Sequence, residues 1–142
     1  MKDPTITRLK QIGLKVTPQR QGILKLLDGN RTHPSAENIY HEVLKEYPRI
    51  SFATVYSTLS KLAKAGQIQE LDIDPTKKRF DPCLAPHYHF YCKACGKVFD
   101  VVHDKPVLVS INPLNTINVD GHQVDAIQIN LKGVCKECRK KP

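Results

Sequence analysis

The sequence lacks the features that place a protein in or beyond a membrane. No apolar run among its 142 residues approaches the length that crosses a bilayer. Residues 1–5 lack the apolar core of a secretory signal peptide. Neither an internal repeat nor a low-complexity segment is present. These absences predict a cytoplasmic protein with no membrane partner, whose cysteines are kept reduced.

The length and composition are those of a globular chain. A chain of 142 residues is long enough for one ordinary domain or for two small ones. Hydrophobic residues make up 40% and charged residues 25% of it, which is typical of folded domains. Small domains often need a staple, and a zinc site is one kind of staple.

Four of the five cysteines form two Cys-x-x-Cys pairs, at 92–95 and 135–138. Four thiolates offer the tetrahedral coordination that zinc prefers in closed structural sites, and Gly96 suits a tight turn close to a metal. The 39 residues between the pairs exceed the spacing of a compact zinc ribbon, so we expect the site to join two distant strands. Two disulfides or a thioredoxin-like redox motif fit poorly in a chain without a secretory signal. We therefore predict a structural Zn²⁺ held by Cys92, Cys95, Cys135 and Cys138.

The positive charge is concentrated in the first half of the chain. The formal net charge is +8. Residues 1–81 carry 14 Lys and Arg against 9 Asp and Glu, whereas residues 82–142 carry 8 against 5. Zinc bound by four thiolates would lower the charge of the second half further. A basic first half points to a polyanion such as DNA or RNA, and a solvated basic surface without a partner is the alternative.

Residues 1–66 carry helix signals in three places. Thr17-Pro18 suits an N-cap followed by the first helical residue, and Ser35 begins a second helix. Ser51 caps a third helix that runs to about residue 65, where Gly66 is a natural stop. The apolar stripes expected to form the core are Ile23, Leu26 and Leu27, then Ile39, Val43 and Leu44, then Val55, Leu59 and Leu62.

Two short strands follow, around Ile68 to Glu70 and Lys78 to Phe80, with a polar turn between them. Three helices and a β-hairpin form the winged helix-turn-helix pattern, and the helix after Ser51 holds the recognition position. Its hydroxyl and lysine side chains suit phosphates, whereas Tyr and Thr suit base edges. A solvated helix has a similar polar face, so the helix order and basic charge support the interpretation. The predicted DNA contacts are Arg20, Ser51, Thr54, Tyr56, Ser57, Ser60, Lys61 and Lys64.

The pattern changes after the wing. Residues 82–86 predict a hinge, and the residues after it alternate as strands. We predict an α+β protein with a winged-helix DNA-binding domain over 1–81, a hinge over 82–86, and a small zinc-stapled domain over 87–142. The segments expected to be strands are 87–92, 98–102 and 124–131, whereas 105–121 fits neither period because Pro106, Pro113 and Gly121 interrupt it.

A second cluster of ligand-type side chains lies near the first cysteine pair. His87 and His89 are two residues apart on a strand, so both imidazoles point to one face. If the chain folds back around the Cys92–Cys95 turn, Asp100 falls opposite His89. Two nitrogens and a carboxylate form a site for a divalent first-row metal, although a His-x-His strand can also be a plain polar face. His33, taken alone, reads as a surface residue.

The residues also carry a resemblance to a known family. The chain resembles the ferric uptake regulator family of bacterial repressors over most of its length, and the match is weak only over about 104–122. The matching segments, in order, are Val16-Thr17-Pro18-Gln19-Arg20, His33-Pro34-Ser35-Ala36, Ala53-Thr54-Val55-Tyr56, Arg79-Phe80-Asp81, His87-Tyr88-His89-Phe90-Tyr91-Cys92 and Cys95-Gly96-Lys97-Val98.

The resemblance implies a winged-helix domain joined by a hinge to a dimerisation domain, and a homodimer on palindromic operator DNA. In the peroxide-sensing branch of the family, five positions bind one regulatory Fe²⁺ or Mn²⁺. Peroxide would then oxidise His33 or His87 to 2-oxo-histidine and release the DNA. The five positions are His33, Asp81, His87, His89 and Asp100.

Asp100 resembles the peroxide sensors, because iron sensors usually carry glutamate there. An iron-level repressor of the same family is therefore the alternative. Pro86 and Tyr88 replace residues of an additional metal site in many iron sensors, and the interrupted 105–121 segment departs from the family's usual helix. Cys83 is not a family ligand and reads as a free thiol. A zinc hydrolase built on the His/Asp cluster is a further alternative, but no residue stands in an obvious general-base position, so we expect no enzyme.

Overall fold

The computed structural model describes residues 3–85, 87–101, 117–124 and 128–141. The chain divides into two compact units, Met1–Leu84 and Ala85–Pro142. Among the described residues, those of the first unit are mainly helical and those of the second are mainly β, so the fold is α+β. None of the helices in these described segments is both long and apolar enough to cross a membrane.

The described residues of the first unit form four helices followed by a β-hairpin, which is the winged-helix arrangement. Strands β1 and β2 pair antiparallel, with Glu70 opposite Phe80. The elements are α1 Pro4–Gln11, α2 Pro18–Leu27, α3 Ala36–Glu46, α4 Phe52–Lys64, β1 Gln69–Leu71 and β2 Arg79–Asp81.

The predicted helix starts are confirmed by their caps. The side chains of Thr17, Ser35 and Ser51 accept hydrogen bonds from backbone N–H groups in the first turns of α2, α3 and α4. Such bonds satisfy amides that have no partner within the helix. In α3 the side chain of Asn38 also accepts from the Ser35 N–H, which completes a capping box.

Helix α1 was not predicted from the sequence. Three helices were predicted, whereas the described part of the first unit has four. The signal was Asp3-Pro4: Asp3 accepts a hydrogen bond from the Thr5 N–H at 2.9 Å, and Pro4 is the first helical residue. Leu9 on this helix is fully buried in the core, so α1 belongs to the domain.

The core of the first unit comes from all four helices and the wing. Most residues of the predicted stripes are buried, but Leu26 and Leu44 are only half-buried, and Leu24 takes the interior position instead. A spacing of three or four residues between apolar positions does not decide which of two neighbouring apolar residues is buried. The packing of the other helices decides it. The buried set includes Leu9, Ile23, Leu24, Leu27, Ile39, Val43, Val55, Leu59, Leu62, Ile68 and Phe80.

The described residues of the second unit include a three-stranded sheet with β3 in the centre. Strand β3 pairs antiparallel with β4 and parallel with β7. A separate hairpin is formed by β5 and β6, and a short helix, α5, follows β7. The elements are β3 Tyr88–Cys92, β4 Val98–Val101, β5 Ile117–Val119, β6 His122–Val124, β7 Asn130–Gly133 and α5 Lys136–Arg139.

The single strand predicted over 124–131 is wrong in part. Strand β6 ends at Val124, residues 128 and 129 are outside any strand, and β7 begins at Asn130. Residues 125–127 lie outside the described residues, as do Pro86, Val102 and most of the 105–121 segment. The described end of that segment, residues 117–121, forms β5 and the turn that leads into β6.

Candidate functional site

The four predicted zinc ligands come together at one end of the sheet. Cys92 ends β3, Cys95 lies in the turn before β4, and Cys135 caps α5, which contains Cys138. The parallel pairing of Cys92 with Gly133 brings the second cysteine pair beside the first. The four Sγ atoms lie within 4.8 Å of one another. The prediction that two distant segments meet at this cluster is confirmed.

Backbone amides support the sulfur cluster. The N–H of Cys135 donates to Cys92 Sγ at 3.3 Å, and the N–H of Cys95 donates to the same sulfur at 3.5 Å. The N–H of Cys138 donates to Cys135 Sγ at 3.5 Å. N–H donors of this kind stabilise thiolates. All five cysteines lie in described segments, and all are free of disulfides.

The electrostatics of the cluster favour a cation. Backbone donation, chiefly from Cys135, lowers the pKa of Cys92 to about 6. Hydrogen bonding to Cys135 raises the pKa of Cys138 to about 12. Four thiolates so close together repel one another, and a divalent cation removes the repulsion. Four thiolates in one compact cluster fit a structural Zn²⁺ with no open coordination position.

In the first unit, His33 and Asp81 form a buried pair. His33 Nε2 lies 3.5 Å from Asp81 Oδ2, and each side chain is only 1% exposed. Taken alone, His33 read as a surface residue, and that expectation is wrong. No local sequence pattern indicates that Arg79 and Phe80 contact the loop before α3.

The backbone around this pair is held from the wing. Arg79 Nη1 donates to the His33 carbonyl at 3.2 Å, and the Phe80 N–H donates to the Pro34 carbonyl at 2.9 Å. His33 has a φ of +54°, a left-handed conformation that costs energy for most side chains. The wing therefore stabilises an uncommon backbone conformation at a ligand-type residue.

In the second unit, His87, His89 and Asp100 converge. Asp100 is paired directly opposite His89 in the β3–β4 register, which confirms the predicted fold-back around the cysteine turn. His87 Nε2 and His89 Nε2 lie 3.1 Å and 3.6 Å from the same carboxylate oxygen, Asp100 Oδ1. The two imidazole centroids are 4.4 Å apart, so the rings share one face as predicted.

The geometry of His87 fits a cation at this carboxylate. Its Nδ1 lies 2.6 Å from the carbonyl oxygen of Ala85, an acceptor, so Nδ1 carries the proton. A neutral ring then directs the Nε2 lone pair toward the Asp100 oxygen. Two acceptors at 3.1 Å repel unless a proton or a metal ion lies between them. Imidazole and carboxylate ligands suit divalent first-row metals.

The predicted DNA contacts are gathered on α4, except for Arg20. Arg20 lies in the first turn of α2, where its Nη1 donates to the Lys15 carbonyl at 2.8 Å. Thr54 and Ser60 are half-buried. The exposed members on or next to α4 are Ser51, Tyr56, Ser57, Lys61 and Lys64.

Two residues that matter to these sites were missed from sequence. Asp74 in the wing turn is buried, and its Oδ2 accepts from Arg79 at 2.9 Å, so it holds the guanidinium that contacts His33. Phe52 is exposed on the first turn of α4.

A winged-helix unit and a β unit that carry a Cys₄ cluster and His/Asp ligand sets define a metal-binding regulator. The sequence model of the ferric uptake regulator family matches residues 11–131. The chain therefore belongs to the ferric uptake regulator family, whose members are metal-responsive regulators.

Similarities to individual proteins support this family assignment. The chain is 37% identical over 139 residues to the peroxide-responsive repressor PerR of Staphylococcus aureus, a match that covers 98% of this chain and 92% of the relative. It superposes on the Campylobacter jejuni peroxide stress regulator with a TM-score of 0.65 and 29% identity, over 97% and 100% of the two chains. The Francisella tularensis ferric uptake regulator with iron gives a TM-score of 0.70 and 26% identity, over 99% of each chain.

Proposed function

We propose that this protein is a metal-dependent transcriptional repressor that binds palindromic operator DNA as a homodimer. Peroxide releases it by oxidising a histidine ligand of bound iron. Two observations support the proposal: the similarity to peroxide-responsive relatives and the approach of imidazole Nε2 atoms to carboxylate oxygens at 3.1–3.6 Å in both units. The first observation carries the peroxide response, because the imidazole and carboxylate pairs support a metal site but do not identify the signal.

The proposed regulatory site uses both sets of ligands. The first unit supplies His33 and Asp81, and the second supplies His87, His89 and Asp100. Together they would offer three imidazole nitrogens and two carboxylates, a ligand set that suits Fe²⁺ or Mn²⁺. A metal held by both units couples its binding to their relative arrangement.

The coupling to DNA follows from differential affinity. A metal shifts the protein toward a DNA-binding arrangement only as far as it prefers that arrangement. A shift from 1:99 to 99:1 requires about 5.5 kcal/mol of preference. Loss of one or two ligands from a five-ligand site can remove that much. The two recognition helices of the dimer would then enter successive major grooves, about one helical turn or a multiple apart.

The ligand histidines are also the residues that peroxide modifies. Fe²⁺ held by these residues would supply the redox chemistry that activates H₂O₂ beside its ligands. In the net change, the ring C–H of His33 or His87 gains one oxygen atom from H₂O₂, and the other oxygen leaves as water. The oxidised ring is a poor ligand, so the metal site loses affinity and the DNA is released. The Cys₄ zinc remains structural, because four thiolates leave it no open position.

Peptide mass analysis tests the oxidation step. The Fe²⁺ form is treated with H₂O₂ under anaerobic conditions, digested, and examined for one added oxygen on each histidine. We expect the oxygen on His33 or His87 of the Fe²⁺ form and not of the Mn²⁺ form. His122 is exposed on β6, outside both ligand sets, and should stay unmodified, which makes it an internal control. An unmodified His33 and His87 with DNA binding retained would overturn the peroxide mechanism.

An iron-level repressor is the second candidate function. The similarity to the Francisella tularensis regulator with iron favours it. In that case metal occupancy alone would set DNA affinity, and peroxide would leave both the histidines and the DNA complex unchanged.

A further inference from the structure

A cleft of about 690 Å³ lies in the first unit and has no part in the sites described above. Its walls are α1, the loop between α2 and α3, the turn that follows α4, and residues 82–84 after the wing. The described residues that line it include none of the proposed metal ligands and none of the predicted DNA contacts. Its volume is within the range of small-molecule sites, about 300–1,000 Å³. We call this feature the α1 cleft.

The guanidinium of Arg8 is held in a fixed position at the α1 cleft. Its Nε donates to Gln67 Oε1 at 3.1 Å, and its Nη1 donates to Asp28 Oδ1 at 3.0 Å. The Gln67 side-chain amide donates back to the Arg8 carbonyl at 3.4 Å. A guanidinium has five N–H donors, and these contacts within the described part of the chain use two of them. A cation that is already ordered loses little conformational entropy when it binds an anion.

The α1 cleft carries a surplus of positive charge. Arg31 is exposed, and among the described residues it makes no ion pair or hydrogen bond through its guanidinium. Asp28 is the one acidic residue among the described residues that line the cleft, and its carboxylate already binds Arg8. Two guanidinium groups against one carboxylate favour an anionic ligand, and the planar guanidinium suits a carboxylate or another oxyanion.

The segment after the wing gives the α1 cleft an apolar side. Leu84 is 51% exposed and is one of the large hydrophobic side chains that the described surface leaves open. Pro82 and Cys83, beside it in the chain, are half-buried. A ligand body that covers Leu84 would remove this apolar area from water, which is favourable. The cleft therefore combines cationic donors with an apolar wall.

We propose that the α1 cleft binds a small organic anion with an apolar body, and that its occupation is coupled to the regulatory metal site. The anionic group binds Arg31 and the remaining N–H groups of Arg8, and the apolar body packs on Leu84. The fit to an oxyanion rests on charge and donor geometry, and the fit to an apolar body rests on the exposed Leu84 side chain.

The coupling follows from the chain between the α1 cleft and Asp81. The Cys83 N–H donates to Asp81 Oδ1 at 2.9 Å. A ligand that restrains residues 82–84 therefore also restrains the carboxylate of a proposed metal ligand. Linkage then requires the metal and the anion to change each other's affinity by the same factor. The coupling rests on the proposed function, whereas binding to the cleft does not.

Two fluorescent dyes test the binding. 8-Anilinonaphthalene-1-sulfonate has an aromatic body and an anionic group, and N-phenyl-1-naphthylamine is the same body without the sulfonate. The zinc-loaded full chain is titrated with each dye. We expect one saturable site per chain for the sulfonate dye, and about fivefold weaker binding of the neutral dye, the effect of one exposed ion pair.

Variants assign the binding to the α1 cleft. Arg31→Gln should weaken the sulfonate dye about three- to fivefold and leave the neutral dye unchanged. Leu84→Ser should weaken both dyes, by about fourfold for each buried methyl-sized contact that is lost. Arg49→Gln is the matched control, because Arg49 is also an exposed arginine of the first unit but does not line the cleft. Equal affinity for the sulfonate dye in the wild type, Arg31→Gln and Leu84→Ser would overturn the site.

The thiol of Cys83 reports where the dye binds. Cys83 lines the cleft and lies outside the zinc cluster, so iodoacetamide should alkylate it in the zinc-loaded protein. Saturating sulfonate dye should slow this alkylation, measured by intact mass. An unchanged rate of Cys83 alkylation would show that the dye binds elsewhere, and would also overturn the site.

Titrations with and without Mn²⁺ test the coupling separately. We expect Mn²⁺ to raise the affinity for the sulfonate dye about fivefold, and the dye to raise the affinity for Mn²⁺ by the same factor. If Mn²⁺ binds and leaves the affinity for the dye unchanged, the coupling is wrong. If Mn²⁺ does not bind, the proposed function and the coupling both fail, and the dye titrations still decide whether the cleft is a binding site.

Discussion

The guanidinium of Arg79 donates a hydrogen bond of 3.2 Å to the backbone carbonyl of His33. The same guanidinium is held by Asp74, which accepts from Arg79 Nε at 3.0 Å and Nη2 at 2.9 Å. The left-handed backbone of His33 is thus tied to the wing by one planar cation. Because His33 is a proposed ligand of the regulatory metal, the wing becomes a support for that site.

Replacing Arg79 should therefore weaken metal binding without touching a ligand. Arg79→Lys keeps the positive charge but loses the planar fork that reaches Asp74 and His33 together. We expect the affinity for Mn²⁺, measured by calorimetry on zinc-loaded protein, to fall about 10- to 100-fold, as for other residues that orient ligands.

Arg8→Lys is the matched control for this prediction. Arg8 also pairs with an aspartate, Asp28 at 3.0 Å, but it contacts none of the proposed ligands. The Arg8→Lys variant should lose some stability and keep the Mn²⁺ affinity of the wild type. Equal Mn²⁺ affinity in Arg79→Lys and the wild type would show that the wing does not position His33.

The Asp74 carboxylate should make stability depend on pH at the acid end. Burial alone raises the pKa of Asp74, but hydrogen bonds from Thr76 and Arg79 outweigh it, so the pKa lies below its usual value. A carboxylate whose pKa is lower in the folded state contributes stability at pH values above its unfolded-state pKa of about 3.9. That contribution is lost as the pH falls through the folded-state pKa.

Asp74→Asn isolates this contribution. The variant should be less stable at neutral pH by about 1–3 kcal/mol, because it weakens the bonds to Arg79. Denaturant titrations should show a constant difference from about pH 5 to 7, which shrinks below about pH 4. A difference that grows on acidification would contradict the assignment.

The Cys₄ cluster predicts that metal and folding are linked in the second unit. Cys135→Ser should lose the bound zinc and destabilise the unit, because three thiolates no longer complete the tetrahedron. Zinc content by atomic emission and thermal unfolding by circular dichroism measure both effects. Cys83→Ser, outside the cluster, is the control and should keep its zinc. Full zinc content in Cys135→Ser would refute the four-cysteine site.

Asp100→Glu distinguishes the two candidate functions. Its longer carboxylate can still ligate a metal, but it changes the position of an oxygen that both His87 and His89 approach. In a peroxide sensor we expect metal-dependent DNA binding to persist while the response to H₂O₂ is lost. In an iron-level repressor the substitution should leave the peroxide response unchanged, because there is none.

Most of the fold was predictable from interactions between residues close together in the sequence. Capping residues such as Ser35 and Ser51 gave the starts of helices, because their hydrogen bonds involve only neighbouring amides. The His89–Asp100 pairing was predictable because a short turn between two strands fixes the register. Helix α1 was not predicted because its cap, Asp3-Pro4, lies apart from any long apolar stripe.

Features made by distant parts of the chain were not predictable in this way. His33 read as a surface residue, and its burial depends on Arg79 and Phe80, more than forty residues away. The break between β6 and β7 could not be read from a continuous alternation, since the period of two is the same in one strand or two. The ends of strands are decided by the neighbours with which they pair.

DNA binding before and after peroxide tests the proposed mechanism. A palindromic duplex selected from a random-sequence pool by the Mn²⁺-loaded protein is titrated anaerobically with the Fe²⁺ form and the Mn²⁺ form, each before and after treatment with H₂O₂. We expect tight binding by both forms before treatment, and loss of binding after it by the Fe²⁺ form alone. Retained binding by the peroxide-treated Fe²⁺ form, or equal loss by both forms, would contradict it.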